Sequence, residues 1–419
     1  MIAPAFARGF GAAGPRGPWL ATAVVVATLS AATVSAQTPL PDPDAEANIR
    51  LGPLSLKSTI AVSNMGVDTN VFNEADADQP ESDFTVTFSP NTDVWLRVGR
   101  TWITGAVQVD WVYYNEFASE RGTNAAFRIG VDRTFNRLAV KANARHLTTR
   151  DRPGFEIDAR SQRLETQYDG EATVRVSGKT SVGATGFRRR TDFAADAIFR
   201  EADLSRELDR TTSGTGFVVR NALTPLTSLA LDVTRERERF VTSQFRDSDS
   251  TKVMGSVAFQ PLALINGTAS AGVRVFDPVP ADVPAFNGVI TAVNLSYSLL
   301  GVTRFGVQAT RDIQYSFEFT QPYYLESGVT GTVQQQIFGP FDLLARIGTR
   351  GLAYADRIGA AVAVSNRTDR VNTIGAGAGY RMGIDKRLGF TLERQHRTST
   401  IPGRNYTGLR FGLSLTYET

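Results

Sequence analysis

A chain of 419 residues carrying 45 Lys and Arg against 42 Asp and Glu is close to neutral. Its basic residues form no stripe with interleaved aromatics, so nucleic-acid binding has no support. With no cysteine, disulfides, thiolate chemistry, Cys-based zinc sites and a lipidated amino-terminal Cys are all excluded.

The amino terminus reads as an export signal. Arg8 and Arg16 give a positive start, Trp19 to Val34 is mostly apolar, and Val34-Ser35-Ala36 supplies small residues for cleavage. An uncleaved membrane helix needs about 20 apolar residues. This run is shorter and is followed by Pro39, Pro41 and Pro43. Residues 1–36 are therefore expected to be a signal peptide, residues 37–53 a periplasmic linker, and residues 54–419 the folded domain. No other stretch is long and apolar enough to be a transmembrane helix, so a membrane-embedded mature chain has to be a closed barrel.

The rest of the chain alternates. In Arg163 to Val176 the odd positions are charged or polar (Arg163, Glu165, Gln167, Asp169, Glu171, Thr173, Arg175). The even ones are apolar or neutral (Leu164, Thr166, Tyr168, Gly170, Ala172, Val174, Val176). A period of two gives a strand with one dry and one wet face. The run exceeds the usual 5 or 6 residues of a soluble strand and matches the roughly 9–11 of a tilted membrane strand.

The same pattern appears from Leu54 onward, at Phe84 to Leu96, Ile103 to Tyr113, Leu138 to Ala144, Leu229 to Val233, Val289 to Leu299 and Leu388 to Leu392. In 207–221 Phe217 and Val219 compete with Val218 for the dry face. Short connections rich in Gly, Pro, Asn or Asp, such as Gly99-Arg100, Thr224-Pro225 and Gly339-Pro340, alternate with long polar segments. The long ones are 67–82, 115–124, 150–162, 190–207, 236–249, 277–288, 316–322, 351–370 and 397–404. Short turns at one end and long loops at the other are the outer-membrane arrangement. The fold expected is all-β: a transmembrane antiparallel up-and-down β-barrel of about 18 strands, with 16 possible. A propeller also repeats at about 40–45 residues, but it fits four short strands into each repeat, not two long ones.

The last strand, with Leu409, Phe411, Leu413, Leu415 and Tyr417 alternating, resembles the carboxy-terminal strand recognised by the barrel-assembly machinery, although Tyr417-Glu418-Thr419 stands where a terminal Phe is usual. Directly after the first strand comes Gly66-Val67-Asp68-Thr69-Asn70-Val71-Phe72. It is similar to the Asp-x-Asn-Val-Phe signature (here Asp68, Asn70 and Phe72) of the putative outer-membrane β-barrel porin family associated with exopolysaccharide gene clusters. The resemblance implies an outer-membrane location, contact with lipid and lipopolysaccharide, and a link to polysaccharide-export components. It supplies no mechanism, and a turn-capping role for Asp68 and Asn70 accounts for them equally well.

Chemistry has few candidates. His146 and His396, the two histidines, lie far apart near loop ends, and a hydroxyl two residues on is chance-level support for a catalytic pair. Asp68, Glu74, Asp76, Asp78 and Glu81 lack EF-hand spacing and read as a solvated acidic loop. No catalytic residue, metal site or cofactor is expected. The wet parity is the remaining functional surface: Lys141, Arg145, Glu165, Asp169, Glu171, Arg175, Asp232, Arg274, Arg304, Arg346, Arg381 and Arg410 are candidate pore-lining residues. Both signs are present, so no strong ion selectivity follows. The function expected is a passive porin-like channel for small hydrophilic solutes, or a part in envelope polysaccharide export. The alternative is a non-transporting barrel that displays its loops for adhesion or structure.

Overall fold

The computed structural model describes residues 47–260, 263–383 and 385–418. The expected signal peptide and most of the expected linker lie outside them. Eighteen long strands form the wall. The first six are β1 (Leu54–Asp68), β2 (Asp83–Val98), β3 (Thr101–Tyr114), β4 (Gly122–Thr134), β5 (Leu138–Thr149) and β6 (Arg163–Arg175). Next come β7 (Thr180–Phe193), β8 (Arg210–Thr224), β9 (Thr227–Phe240), β10 (Ser248–Phe259), β11 (Ile265–Pro278) and β12 (Phe286–Leu299). The last six are β13 (Thr303–Tyr315), β14 (Tyr323–Phe338), β15 (Phe341–Ala355), β16 (Thr368–Met382), β17 (Lys386–Ser399) and β18 (Tyr406–Glu418).

Each strand pairs antiparallel with its sequence neighbours, and β1 pairs with β18, so the sheet closes on itself. Closure removes the edge that lipid would leave unpaired. The alternation sets the faces. Ile129, Tyr168, Val289, Ile347 and Ile374 are exposed on the outer wall, whereas Glu236, Arg274 and Asp342 are buried inside it. Phe217 points outward and Val218 inward, which settles the ambiguous stretch. Trp111 and Tyr113 are exposed on the outer face at the long-loop end, where aromatic girdles form. Two-residue turns carry glycine where the backbone is left-handed, at Gly99 (φ +60°) and Gly339 (φ +50°).

Two expectations need correction. The segment 37–53 is not wholly a linker, because Ile49–Leu51 forms a short strand that folds back on Leu54–Leu56. Several strands also run further than the alternation implied, so that β7 reaches Phe193, β9 Phe240 and β15 Ala355. Above the apolar belt both faces of a strand are polar, so the sequence signal fades while the hydrogen-bond ladder continues.

The Gly66–Phe72 stretch sits at the seam. Asp68 accepts from Arg410 Nε of β18 at 2.8 Å, and Thr69 N donates to Leu409 O at 2.9 Å. Asn70, fully buried, accepts from Glu74 N (2.8 Å) and donates to Glu74 O (2.9 Å) and Thr407 O (3.3 Å). The motif therefore folds the first long loop and pins it to the last strand. A Cβ on Gly66 would lie 1.9 Å from Phe411 O across the seam. Gly66→Ala should destabilise closure by about 1–3 kcal/mol, read as a lower urea midpoint for the folded, heat-modifiable form.

Candidate functional site: a loop across the lumen

Loop 150–162 leaves the wall between β5 and β6, yet its partners lie on the far side. Arg350 of β15 stacks over the Phe155 ring at 3.9 Å. In a ring of eighteen strands, β15 is nine strands from β6 in either direction, so the loop spans the diameter. Phe155 packs there against Tyr324, Leu352 and Tyr354. Arg397 of β17, with no exposed surface, donates to Phe155 O (2.9 Å) and Asp158 (2.7 Å), and its other nitrogen reaches Asp369 (2.5 Å). Arg404 adds a bond to Glu156 O, and Ser316 Oγ donates to Glu156 Oε1 at 2.7 Å. Near its ends the loop is held by Arg152 Nη2 on Val71 O (2.6 Å) and Arg160 Nη2 on the Tyr114 hydroxyl (2.6 Å). The motif residue Val71 thus anchors the crossing loop as well as its own.

Other long loops close over it. A five-residue helix, α1 (Leu204–Leu208), is capped by Asp203, which accepts from Ser205 N (2.9 Å) and Arg206 N (3.2 Å). Its Leu204 and Leu208 are buried with Ile157 of the crossing loop, Phe199, Phe240 and Phe317. A dry cluster thereby caps the outer mouth.

Burial raises the Glu156 carboxyl above the ordinary carboxylate range, with Arg404 and Arg367 pulling the other way. Its Oε2 has no hydrogen-bond partner among the described residues. The seated loop therefore favours the protonated form, and its stability is fully present below the ordinary carboxyl pKa and is lost as pH rises through the raised one. Opening events should become more frequent as pH rises above the ordinary carboxyl range, and Glu156→Gln, which keeps an acceptor for Ser316, should flatten that dependence in single-channel records.

Beneath the loop, the register sorts the charges. Arg128 of β4 stands directly opposite Arg145 of β5, and the same rung continues through Gln167 to Arg189 of β7. One or two rungs outward come Arg163 and Arg210, so five arginines share the β4–β8 wall with Glu165. Like charges placed opposite each other cost stability, which a purely structural wall would avoid. A cavity lined by Pro153, Gly154, Glu156 and Ile157 of the loop opens onto Arg163, Arg189 and Arg210. Arg163 Nη1 and Arg210 Nε have no hydrogen-bond partner among the described residues. The β9–β13 wall differs. There Lys252 pairs with Glu236 (3.0 Å) and Asp312 (3.3 Å), and Arg274 with Asp312 (2.8 Å) and Glu238 (3.4 Å).

The twelve residues expected on the wet parity all fall on the inner face of their strands. Lys141 pairs with Asp132 (3.1 Å), Glu165 with Arg163 (2.6 Å), Glu171 with Arg220 and Asp169 with Asn143 (2.8 Å). Arg304 reaches Ser296 Oγ (3.3 Å), Arg346 Glu393 (3.3 Å), Arg381 Asp342 (3.9 Å) and Arg410 Asp68 (2.8 Å). Asp232 and Arg274 are buried in the β9–β13 wall, whereas Arg175 is exposed near the short-turn end. Sequence reasoning missed Arg128, Arg189, Arg210, Arg397 and Asp158. His146 and His396 turn away from the lumen, against Thr166 (3.3 Å) and Thr407 (3.1 Å) on the outer wall.

A closed up-and-down barrel with an apolar outside, a charged inside and a strap of chain across its bore belongs to the porin-like outer-membrane proteins. The model of the family described as "Putative beta-barrel porin 2" matches residues 42–419, and the chain belongs to that family. A BenF-like porin from Pseudomonas fluorescens Pf-5 is similar at 13% identity and a TM-score of 0.46, over 88% of this chain and 99% of that one. Pseudomonas aeruginosa opdK gives 10% identity and a TM-score of 0.45, over 87% and 98%. OccK2 (OpdF) from the same organism, solved with glucuronate, gives 10% and 0.45, over 87% and 97%. A search of curated proteins returns no match.

Proposed function

We propose that this outer-membrane barrel is a passive channel for small hydrophilic solutes, narrowed by loop 150–162 and biased toward anions by the arginines of the β4–β8 wall. The observation that carries this reading is the loop itself, seated against β15 and β17 directly above Arg163, Arg189 and Arg210. An interior of 16–18 strands is wide enough for water, and an inward loop reduces it to a size at which wall charge decides what passes. Residues 1–36 would direct the chain through the periplasm and be removed. A conduit for polysaccharide fits less well, because the strap would have to leave the bore before a polymer could thread it.

The test is planar-bilayer recording of the refolded, leaderless protein. Discrete openings, with a reversal potential in a KCl gradient on the anion side, are the expected result. No openings in bilayers that accept a control porin would mean that the mouth is plugged, leaving loop display as the function.

A further inference from the structure

Five arginines cluster on the outside of the wall over β7–β9, and a channel has no use for them. In β7, Arg188 and Arg190 have outward parity, and in β9, Arg235, Arg237 and Arg239 do; all five are exposed. Between these strands runs β8, whose Ser213 is paired with both Arg188 and Arg237, and whose Thr211 is paired with both Arg190 and Arg239. Two rungs therefore repeat one arrangement, a hydroxyl flanked on each side by a guanidinium. With strands about 4.8 Å apart, flanking arginines are rooted about 10 Å from each other, within side-chain reach of one bound group. Tyr168 of β6, also exposed, pairs with Arg188 and extends the patch.

Four aspartates stand by these charges, two of them, Asp209 beside Arg190 and Asp247 beside Arg239, at the loop edge. Asp192 takes Arg190 (2.8 Å), and Asp249 takes Arg239 (2.6 Å) with Arg235 further off at 3.8 Å. Among the described residues Arg188 and Arg237 have no ion-pair partner, and the patch stays net positive, five arginines against the four aspartates Asp192, Asp209, Asp247 and Asp249. Its height is specific. Below it on the same three strands the outer face turns apolar, with Phe217, Leu231 and Val233 exposed. The arginines thus occupy the rungs just above the apolar belt, at the long-loop end, where lipid headgroups of the outer leaflet lie.

We propose that this face is a binding site for a phosphorylated glycolipid of the outer leaflet, its phosphate held by Arg188, Arg190, Arg237 and Arg239 and its acyl chains lying on Phe217, Leu231 and Val233. Guanidinium forks match phosphate oxygens bidentately, and Thr211 and Ser213 offer hydroxyl donors between them. A protein partner would need an apolar centre to such a patch, and these rungs have none.

The experiment is native mass spectrometry of the full folded barrel in neutral detergent with diphosphorylated lipid A added. Wild type should retain one lipid per barrel. The Arg188→Gln/Arg190→Gln/Arg237→Gln/Arg239→Gln variant should bind at least tenfold more weakly while keeping its heat-modifiability and conductance. Ser213→Glu, which leaves every arginine in place but sets a carboxylate among them, should lose the lipid as well. Dephosphorylated lipid A should bind as weakly as it does to the variants. Equal retention by wild type and both variants, or no retention by wild type, would overturn the site. Displacement of lipid A by millimolar inorganic phosphate would overturn the assignment to a lipid.

Discussion

Arg397→Ala should release loop 150–162 and raise single-channel conductance severalfold, with the barrel itself intact. Arg397 is the point where the loop is fastened to the far wall: it holds Asp158 at 2.7 Å, the Phe155 carbonyl at 2.9 Å and Asp369 at 2.5 Å, all without solvent exposure of its own. Removing one member of a buried ion pair leaves its partner charged in a poor medium, at about 3–5 kcal/mol. Arg367 still pairs with Asp369 at 2.8 Å, so that side keeps a counter-charge. Among the described residues Asp158 keeps one ion pair, with Arg404 at 3.4 Å. The cost therefore falls on the loop, whose simplest relief is to leave the bore and hydrate. A penalty of a few kcal/mol shifts a seated-to-released ratio by a factor of about 100 or more. The wall pairs through its backbone ladder and should not notice. The measurement is conductance in planar bilayers beside the heat-modifiability of the same sample. A folded Arg397→Ala barrel with wild-type conductance would show that the loop does not limit flow.

How far the sequence reveals this arrangement depends on the range over which each feature is determined. Strands such as Arg163–Arg175 are legible because alternation is local and lipid enforces it on every other residue. Turns at Gly99-Arg100 and Gly339-Pro340 are legible for the same reason. The crossing loop is not. Phe155 and Asp158 look like ordinary loop residues, and their partners Arg350 and Arg397 lie about two hundred residues away on strands whose place in the ring only closure fixes. Charge segregation is hidden too. A reading by parity finds both signs inside and infers little selectivity, whereas the register gathers Arg128, Arg145 and Arg189 on one rung and neutralises Arg274 and Lys252 on another wall. Arg188-Arg189-Arg190 is the sharpest instance. The long polar segment expected at 190–207 takes in only its last residue, but as the continuing end of β7 the run sends Arg189 into the lumen and its two neighbours to the outer wall. The cue available was the period of two, which there carries no apolar partner to reveal it.

The arginine wall makes a prediction of its own: converting Arg145 and Arg189 to Glu should move the reversal potential in a KCl gradient from the anion to the cation side. From the Arg128–Arg145–Arg189 rung outward, β4–β8 carry five arginines and one acid, Glu165, a local excess of +4; two Arg→Glu changes remove four charges and leave that stretch neutral. The adjoining β9–β13 wall, where Glu236, Glu238 and Asp312 outnumber Lys252 and Arg274, would then set the sign. Arg145 and Arg189 are the right pair to change because they share one rung with Arg128, while the loop has ties of its own through Arg152, Arg160, Arg397 and Arg404. Arg145→Glu would also set a carboxylate opposite Arg128, replacing a like-charge pair by an attractive one, so folding should not suffer. Charges act over a Debye length of about 10 Å at 0.1 M salt and about 3 Å at 1 M. The change of sign should therefore be clear at low ionic strength and shrink toward zero in molar salt. A reversal potential that stays on the anion side in 0.1 M KCl would mean that ions pass elsewhere than between the loop and this wall.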